Sequence, residues 1–331
     1  MNRRTMIGCA TGSLAIGSML GASIRPLRAE PPWPSKPLRL IFPFPPGNQS
    51  EVFLRTLGQR LHESLGQPLV VDYRPGATGM IGSTAAKIAP PDGYTLLFAA
   101  NSSLVISPML LLKPPYDAQR DFTPVTMLLR YPFYLVVNKD LPVSNVGELI
   151  ALAKARPGKL NVASIGQGSG THLIAELFKA RAGVAITHVP YKNPGTAVLA
   201  VSTGEADLYF DSVSSALPFV QAGKVKALAV TGPRRLAVVP DTPTLAEAAG
   251  LEGFDATIWW GIVAPLGTPQ PIVRRLSDEI QRIVAMPDMR TRMDSQGWEP
   301  FGGGPEHFAA YVRAETPQWA NLIKELDLKQ Q

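Results

Sequence analysis

The chain has 331 residues, 45% of them apolar and 18% charged, with a formal net charge of +6. That length allows two domains, and that much apolar material excludes a disordered polyelectrolyte. One cysteine, Cys9, and four histidines no closer than 16 positions apart exclude a cysteine-rich zinc module, a CxxC redox site, an internal disulfide and a helical two-histidine metal pair.

The amino end carries Arg3 and Arg4, then no charge from Thr5 to Ile24, then Arg25, Arg28 and the small residue Ala29. This order predicts a cleaved export signal over residues 1–29. Gly8, Gly12, Gly17 and Gly21 make the apolar run weak for a membrane span. The arginine pair leaves both the general and the twin-arginine export routes open, and Met6-Ile7-Gly8 is a poor lipobox for Cys9. Without the segment, 28 basic side chains face 26 acidic ones, a net charge of +2. The basic balance therefore belongs mostly to the leader, and no nucleic-acid partner is implied. A mature chain without cysteine fits an oxidising compartment such as the periplasm.

From residue 38 strand and helix signals alternate. Leu38–Phe42 reads as a strand, and Leu54, Leu57, Leu61 and Leu65 mark one face of a helix stopped by Gly66. Leu69–Val71 and Tyr94–Phe98 read as further strands, separated by the turn-rich Arg74–Gly79 and a small-residue helix. Short apolar runs alternating with amphipathic helices imply an α/β fold with a largely parallel sheet. Two stretches then resemble each other: strand Phe133–Val137 leading into helix Val146–Ala155, and strand Trp259–Ala264 leading into helix Ile272–Val284. A chain leaving one lobe on the first strand and returning on the second encloses residues 136–257, a normal domain size, with 30–135 plus 258–331 forming the other lobe. The alternative is two sequential domains split near residue 130.

Two loops suit a small anion. Phe44-Pro45-Pro46-Gly47-Asn48-Gln49-Ser50-Glu51 joins the first strand to the first helix, where unpaired helix-start amides attract a carboxylate and Gly47 permits close approach. Ile165-Gly166-Gln167-Gly168-Ser169-Gly170-Thr171-His172 follows the strand Leu160–Ala163 and opens a helix over Leu173–Arg181 with inward-facing Leu173, Ile174, Leu177 and Phe178. Enzyme motifs fail here: a dinucleotide fingerprint needs glycine at Thr171, and a nucleophile elbow on Ser169 needs glycine at Gln167 and Thr171. His172 near Ser169 leaves a secreted serine hydrolase as the alternative reading, against a histidine that merely donates or caps. Asn101 and Ser102 follow the third strand with small polar groups, and Tyr191 and Lys192 follow His188-Val189-Pro190. Asp211 ends a strand, the pattern that grips a hydroxyl or ammonium group, or else caps the helix Ser214–Gln221. Trp259 and Trp260 fall on the proposed return strand, one of them a possible pocket wall, with core packing the default for each.

The ordered set Phe44-Pro45-Pro46-Gly47, Arg74-Pro75-Gly76-Ala77, Pro91-Asp92-Gly93-Tyr94-Thr95-Leu96-Leu97, Gly168-Ser169-Gly170-Thr171-His172-Leu173, Val189-Pro190-Tyr191-Lys192, Ser215-Ala216-Leu217-Pro218, Pro240-Asp241-Thr242-Pro243-Thr244 and Ala264-Pro265-Leu266-Gly267-Thr268-Pro269 resembles the Bug family. These are extracytoplasmic solute receptors of tripartite tricarboxylate transporters. The resemblance implies a periplasmic-binding-protein-like (type II) α/β fold, with two lobes joined by crossover strands. It also implies a non-catalytic monomer without cofactor or metal that captures a small organic anion, with membrane transporter subunits as partners. The strand-end reading and the resemblance together suggest as ligand residues Phe44, Gly47, Asn48, Gln49, Ser50, Glu51, Asn101, Ser102, Gly168, Ser169, Thr171, His172, Tyr191 and Asp211. Asn48, Ser50 and Glu51 stand where the family usually has glycine, threonine and aspartate. Asn193 replaces the glycine after Tyr-Lys, and Ser212 the asparagine after Asp211.

Overall fold

A computed structural model describes residues 33–46 and 49–325. The export signal expected over 1–29 lies outside the described residues, as do Gly47 and Asn48. In chain order the elements are β1 (Leu38–Phe42), α1 (Gln49–Leu65), β2 (Leu69–Tyr73), α2 (Met80–Lys87), β3 (Thr95–Ala100), α3 (Ser107–Met109), β4 (Phe122–Asn138), α4 (Val146–Ala155), β5 (Asn161–Ser164), α5 (Gly170–Ala182) and β6 (Thr187–Pro190). They continue as α6 (Pro194–Thr203), β7 (Leu208–Ser212), α7 (Val213–Gln221), β8 (Val225–Val230), α8 (Leu245–Ala249), β9 (Thr257–Pro265), α9 (Gln270–Val284), α10 (Pro287–Ser295), β10 (Glu299–Gly303) and α11 (Pro305–Glu325). Among the described residues no helix is long and apolar enough to cross a membrane.

The fold is mixed α/β. In one half of the sheet the strands run β2-β1-β3-β9-β4, with β10 also on β4; in the other they run β4-β7-β5-β6, with β8 also on β4. The sheet is not largely parallel as the alternation suggested. Parallel pairs link β1 to β2 and β3, and β5 to β6 and β7, whereas β4 runs antiparallel to β7, β8, β9 and β10. The central parallel strands are mostly apolar, as expected of strands packed on both faces. Leu38, Leu40, Ile41 and Phe42 of β1 and Leu96–Ala100 of β3 are almost fully buried.

β4 belongs to both halves. Its residues Phe122–Pro132 pair with β9, and Phe133–Val137 pair with β7. The sequence pattern showed only the second part, because Pro124, Thr126, Arg130 and Pro132 break the apolar run. A proline in a strand needs a bulge or an edge, and the register with β9 indeed shifts between Pro124 and Thr126. β9 begins opposite this switch, with Thr257 paired to Pro132. Both connections between the halves therefore pass the same point, where buried Thr231 lies between them.

Candidate functional site

The first loop leaves the C-terminal end of β1. The half-buried Phe44 ring stands edge-on to Phe42 at 5.7 Å and to Phe98 at 6.3 Å between centroids, so the loop is anchored by aromatic packing. Gln49 is the first residue of α1, and Ser50 and Glu51 in its first turn are buried. Glu51 Oε1 accepts from Arg55 at 2.6 Å, one turn on, and its carboxylate also takes the Tyr73 hydroxyl. A carboxylate in a first helical turn also meets the positive end of the helix dipole.

The second loop holds itself open with its own polar atoms. Gly166 and Gly168 have φ of 122° and 74°, a region that glycine alone enters without strain. Ser169 is the N-cap of α5: its Oγ accepts from the His172 amide at 3.3 Å and donates to the Gly166 carbonyl at 2.6 Å. Thr171 Oγ1 accepts from the Ile165 amide at 3.1 Å. These bonds leave the Gly170 and Thr171 amides, in the first turn of α5, without an intrahelical partner. The loop lies against the other half of the sheet. A Cβ on Gly168 would stand 2.8 Å from Leu110 Cδ1, and one on Gly170 would stand 2.9 Å from Ile258 Cδ1.

The hydrolase alternative fails on this geometry. His172 Nδ1 accepts from the Gly168 amide at 3.1 Å, and Nε2 faces Glu176 Oε1 at 3.6 Å, so neither ring nitrogen serves the Ser169 hydroxyl. Burial, then the neighbouring His188 and Lys179, push the His172 imidazole down to about 4. The two histidine rings lie 4.1 Å apart, centroid to centroid. His188 sits within β6, with its Nε2 on Ser164 Oγ. Among the described residues no cluster of three or more metal-ligating side chains occurs.

Other predicted residues are placed differently. Asn101 is fully buried: its Nδ2 donates to the Thr257 carbonyl at 3.1 Å and its Oδ1 accepts from the Ser102 amide, so it ties β3 to the start of β9. Ser102 opens a wide helical turn over Ser102–Ile106 that runs into α3. Tyr191 points its hydroxyl to Glu205 Oε1 at 3.2 Å. Asp211 does not cap α7; Ser212 occupies that position, and Asp211 Oδ1 accepts the Ser212 amide at 2.8 Å. Trp259 is core, stacked edge-on to Phe308. Two hollows, of about 140 and 620 Å³, border α3 and the outer face of α5 and are lined by none of the predicted residues.

Two residues that the sequence reading missed complete the junction. Trp260 lies between Phe98, at 5.6 Å, and Tyr131, at 5.3 Å, so aromatic rings run from the first loop to the switch point of β4. Tyr131 acts electrostatically with Asp211 and Tyr209. Burial pushes the Asp211 carboxyl up to about 7, opposed by hydrogen bonds from Ser215 and Ser212. Tyr209 was legible in principle, since residues two apart on a strand share a face. Tyr131 was hidden with the proline-broken first part of β4.

Residues 53–328 match the sequence profile of the tripartite tricarboxylate transporter family receptor. Solved structures agree. The periplasmic binding protein BugD is 32% identical, with a TM-score of 0.77 over 90% of this chain and 100% of its own. A Rhodopseudomonas palustris protein with adipate is 34% identical, with a TM-score of 0.78 over 88% of this chain and 97% of its own. MatC of the same organism, with bound malate, is 32% identical, with a TM-score of 0.76 over 88% of this chain and 99% of its own. The fold of this chain is that of a periplasmic binding protein, and its family is one of transporter receptors, not of enzymes. The chain belongs to the tripartite tricarboxylate transporter receptor family, the Bug proteins.

Proposed function

We propose that this chain is an exported periplasmic receptor that captures a small organic carboxylate and presents it, as a monomer, to the membrane subunits of a tripartite transporter. The lobes would comprise 30–135 plus 258–331 and 136–257, and residues 1–29 would be the export signal. The observation that carries the reading is the seam where the glycine loop of one half, with two amides of α5 unpaired, lies against Leu110 and Ile258 of the other half. Helix-start amides carry partial positive charge and need no lysine or arginine to hold a carboxylate. Donors would come from the first loop, at Gly47, Asn48, Gln49 and Ser50, and from the second loop around Ser169 and Thr171. Relatives of the same fold hold adipate and malate.

Capture needs no bond chemistry. The closed arrangement is favoured only by contacts that the open one lacks. Micromolar affinity is about 8 kcal/mol. A few charge-assisted hydrogen bonds of about 1.5–3 kcal/mol each, set against lost rigid-body freedom, reach that order. Calorimetry and thermal shift over a panel of mono-, di- and tricarboxylates test the reading. A ligand should raise the midpoint of unfolding in proportion to the logarithm of its concentration once in excess. Failure of every organic anion to do so would overturn it.

A further inference from the structure

Two histidines from different elements hold the bend of the second loop. His172, in the first turn of α5, takes the Gly168 amide on its Nδ1 at 3.1 Å. His188, on β6, meets Ser164 Oγ through Nε2 at 2.5 Å, and the same Oγ accepts the Gly166 amide at 3.0 Å. Gly166 and Gly168 are the loop residues at positive φ, so both histidines act where the backbone turns. Gly168 also packs against the other half, since a Cβ there would stand 2.8 Å from Leu110 Cδ1. The His172 bond therefore sets how the loop meets that seam.

This bond demands a neutral ring. A nitrogen that accepts from an amide carries no proton, so the His172 proton sits on Nε2, toward Glu176 Oε1 at 3.6 Å. A second proton would go to Nδ1 and set two N–H donors against each other. The surroundings oppose it. The His188 ring lies 4.1 Å away, and two charged rings at that distance repel. Glu176, on α5, is the acid facing the pair, and Lys179 Nζ already holds its Oε1 at 2.7 Å. β5 brings the neutral Ser164 hydroxyl, and β7, packed on α5, brings Asp211, whose carboxyl acts on Tyr131 and Tyr209. Burial, ahead of any neighbouring charge, holds both imidazoles below their ordinary value.

We propose that His172 is a positioning residue for capture: its neutral ring, kept so by stacking on His188, fixes Gly168 and with it the amide-bearing loop against the other half. The proposal rests on the carboxylate-receptor reading, whose ligand meets this loop. A proton on His172 frees the Gly168 amide, so the loop loosens as pH falls through the titration of that ring. Linkage is reciprocal: a ligand that needs the fixed loop makes His172 harder to protonate.

Nuclear magnetic resonance of the nitrogen-labelled chain tests the lock without any ligand. At about pH 7 His172 should be the Nε2–H tautomer, and on acidification the Gly168 amide should shift with the same midpoint as the His172 ring. His172→Asn, which puts an oxygen near the place of Nδ1, should keep Gly168 amide exchange within about three-fold of wild type, whereas His172→Ala should speed it about ten-fold or more. In calorimetry with adipate and malate as probes, His172→Ala should weaken binding about ten-fold and His172→Asn no more than about three-fold. Saturation with either probe should lower the His172 midpoint. An Nδ1–H tautomer, or a Gly168 amide blind to the His172 titration, would overturn the lock; both are read on the wild type and need no variant to fold. An alanine variant that loosens the loop yet binds as tightly as wild type would overturn the positioning role and leave the receptor reading standing. Failure of every carboxylate to bind would remove the receptor reading and the role in capture with it, while the wild-type spectra still decide whether His172 holds the loop.

Discussion

The Phe133 amide donates to Thr231 Oγ1 at 2.8 Å, and the Thr231 amide donates back to the Phe133 carbonyl at 2.9 Å. The same hydroxyl donates to the Ala256 carbonyl at 2.7 Å, and the Ala256 amide returns to the Thr231 carbonyl at 3.0 Å. One fully buried threonine thus joins the outgoing crossover, at the switch in β4, to the residue that precedes β9. Thr231→Val keeps the shape and removes both side-chain bonds, leaving buried backbone groups short of a partner. Urea denaturation should show a loss of about 2–4 kcal/mol, most of it recovered by Thr231→Ser. A Thr231→Val protein within about 0.5 kcal/mol of wild type would show the hydroxyl to be dispensable.

Contact between the glycine loop and the opposite half makes a second prediction. Gly170→Ala introduces a methyl that would stand 2.9 Å from Ile258 Cδ1, at a helical position where alanine itself is favoured. The substitution should therefore leave thermal stability nearly unchanged but weaken carboxylate binding by roughly ten-fold, the scale of a 1–2 kcal/mol packing clash. Gly170→Ala with Ile258→Val relieves the clash and should restore most of the affinity in calorimetry. Unchanged binding by the single variant would mean that this contact plays no part in capture.

Charges near the switch are unequal in worth. Glu299 bonds Arg130 Nε at 2.9 Å and Arg234 Nε at 2.6 Å; the Arg130 side chain is 14% exposed and that of Arg234 is 66% exposed. Arg234→Ala should change stability by less than about 0.5 kcal/mol, because an exposed pair is screened by water. Glu299→Ala strips the more buried Arg130 of a carboxylate and leaves Asp255 Oδ2, at 3.5 Å, as its acidic partner. That variant should lose about 2–3 kcal/mol by urea denaturation. Equal effects of the two substitutions would contradict this ranking.

Two carboxyl groups give stability an unusual pH profile. Burial pushes Asp211 up to about 7 and Glu315 up to about 8, the latter despite hydrogen bonds from Trp259, Trp319 and Asn101. The folded chain keeps protons there that the unfolded chain releases above about pH 4. Stability from these groups is therefore full in acid and is lost as pH rises through 7 and 8. His172, held down at about 4, works the other way: the unfolded chain takes up its proton below about pH 6.5, so stability rises with pH between 4 and 6.5. Two falling trends against one rising one leave a net decline that begins near pH 5 and levels off once pH passes 8. Urea midpoints at pH 5, 6.5 and 8.5 measure it; Glu315→Gln should flatten the upper part of the curve, and an equally steep curve in that variant would locate the proton elsewhere.

Local chemistry was legible before any tertiary structure. The leucine spacing of α1 and the mostly apolar runs of β1 and β3 follow from periodicity and burial. The Gly166–Thr171 stretch specified a helix start with unpaired amides, because positive φ and a serine N-cap are properties of a few adjacent residues. Family membership was legible in the order of short motifs. What no local pattern holds is the path of β4, whose first part looks like a loop because its prolines and Arg130 interrupt the run. Its strand character comes from partners more than 120 positions away in β9. Asn101 likewise read as an open donor, and only the return of Thr257 beside it turned it inward. The pairing of Asp211 with Tyr209 and Tyr131 needed two strands to meet at the switch. Periodicity reports which face a residue takes, whereas a partner across the fold decides whether its polar atoms are spent or left for a ligand.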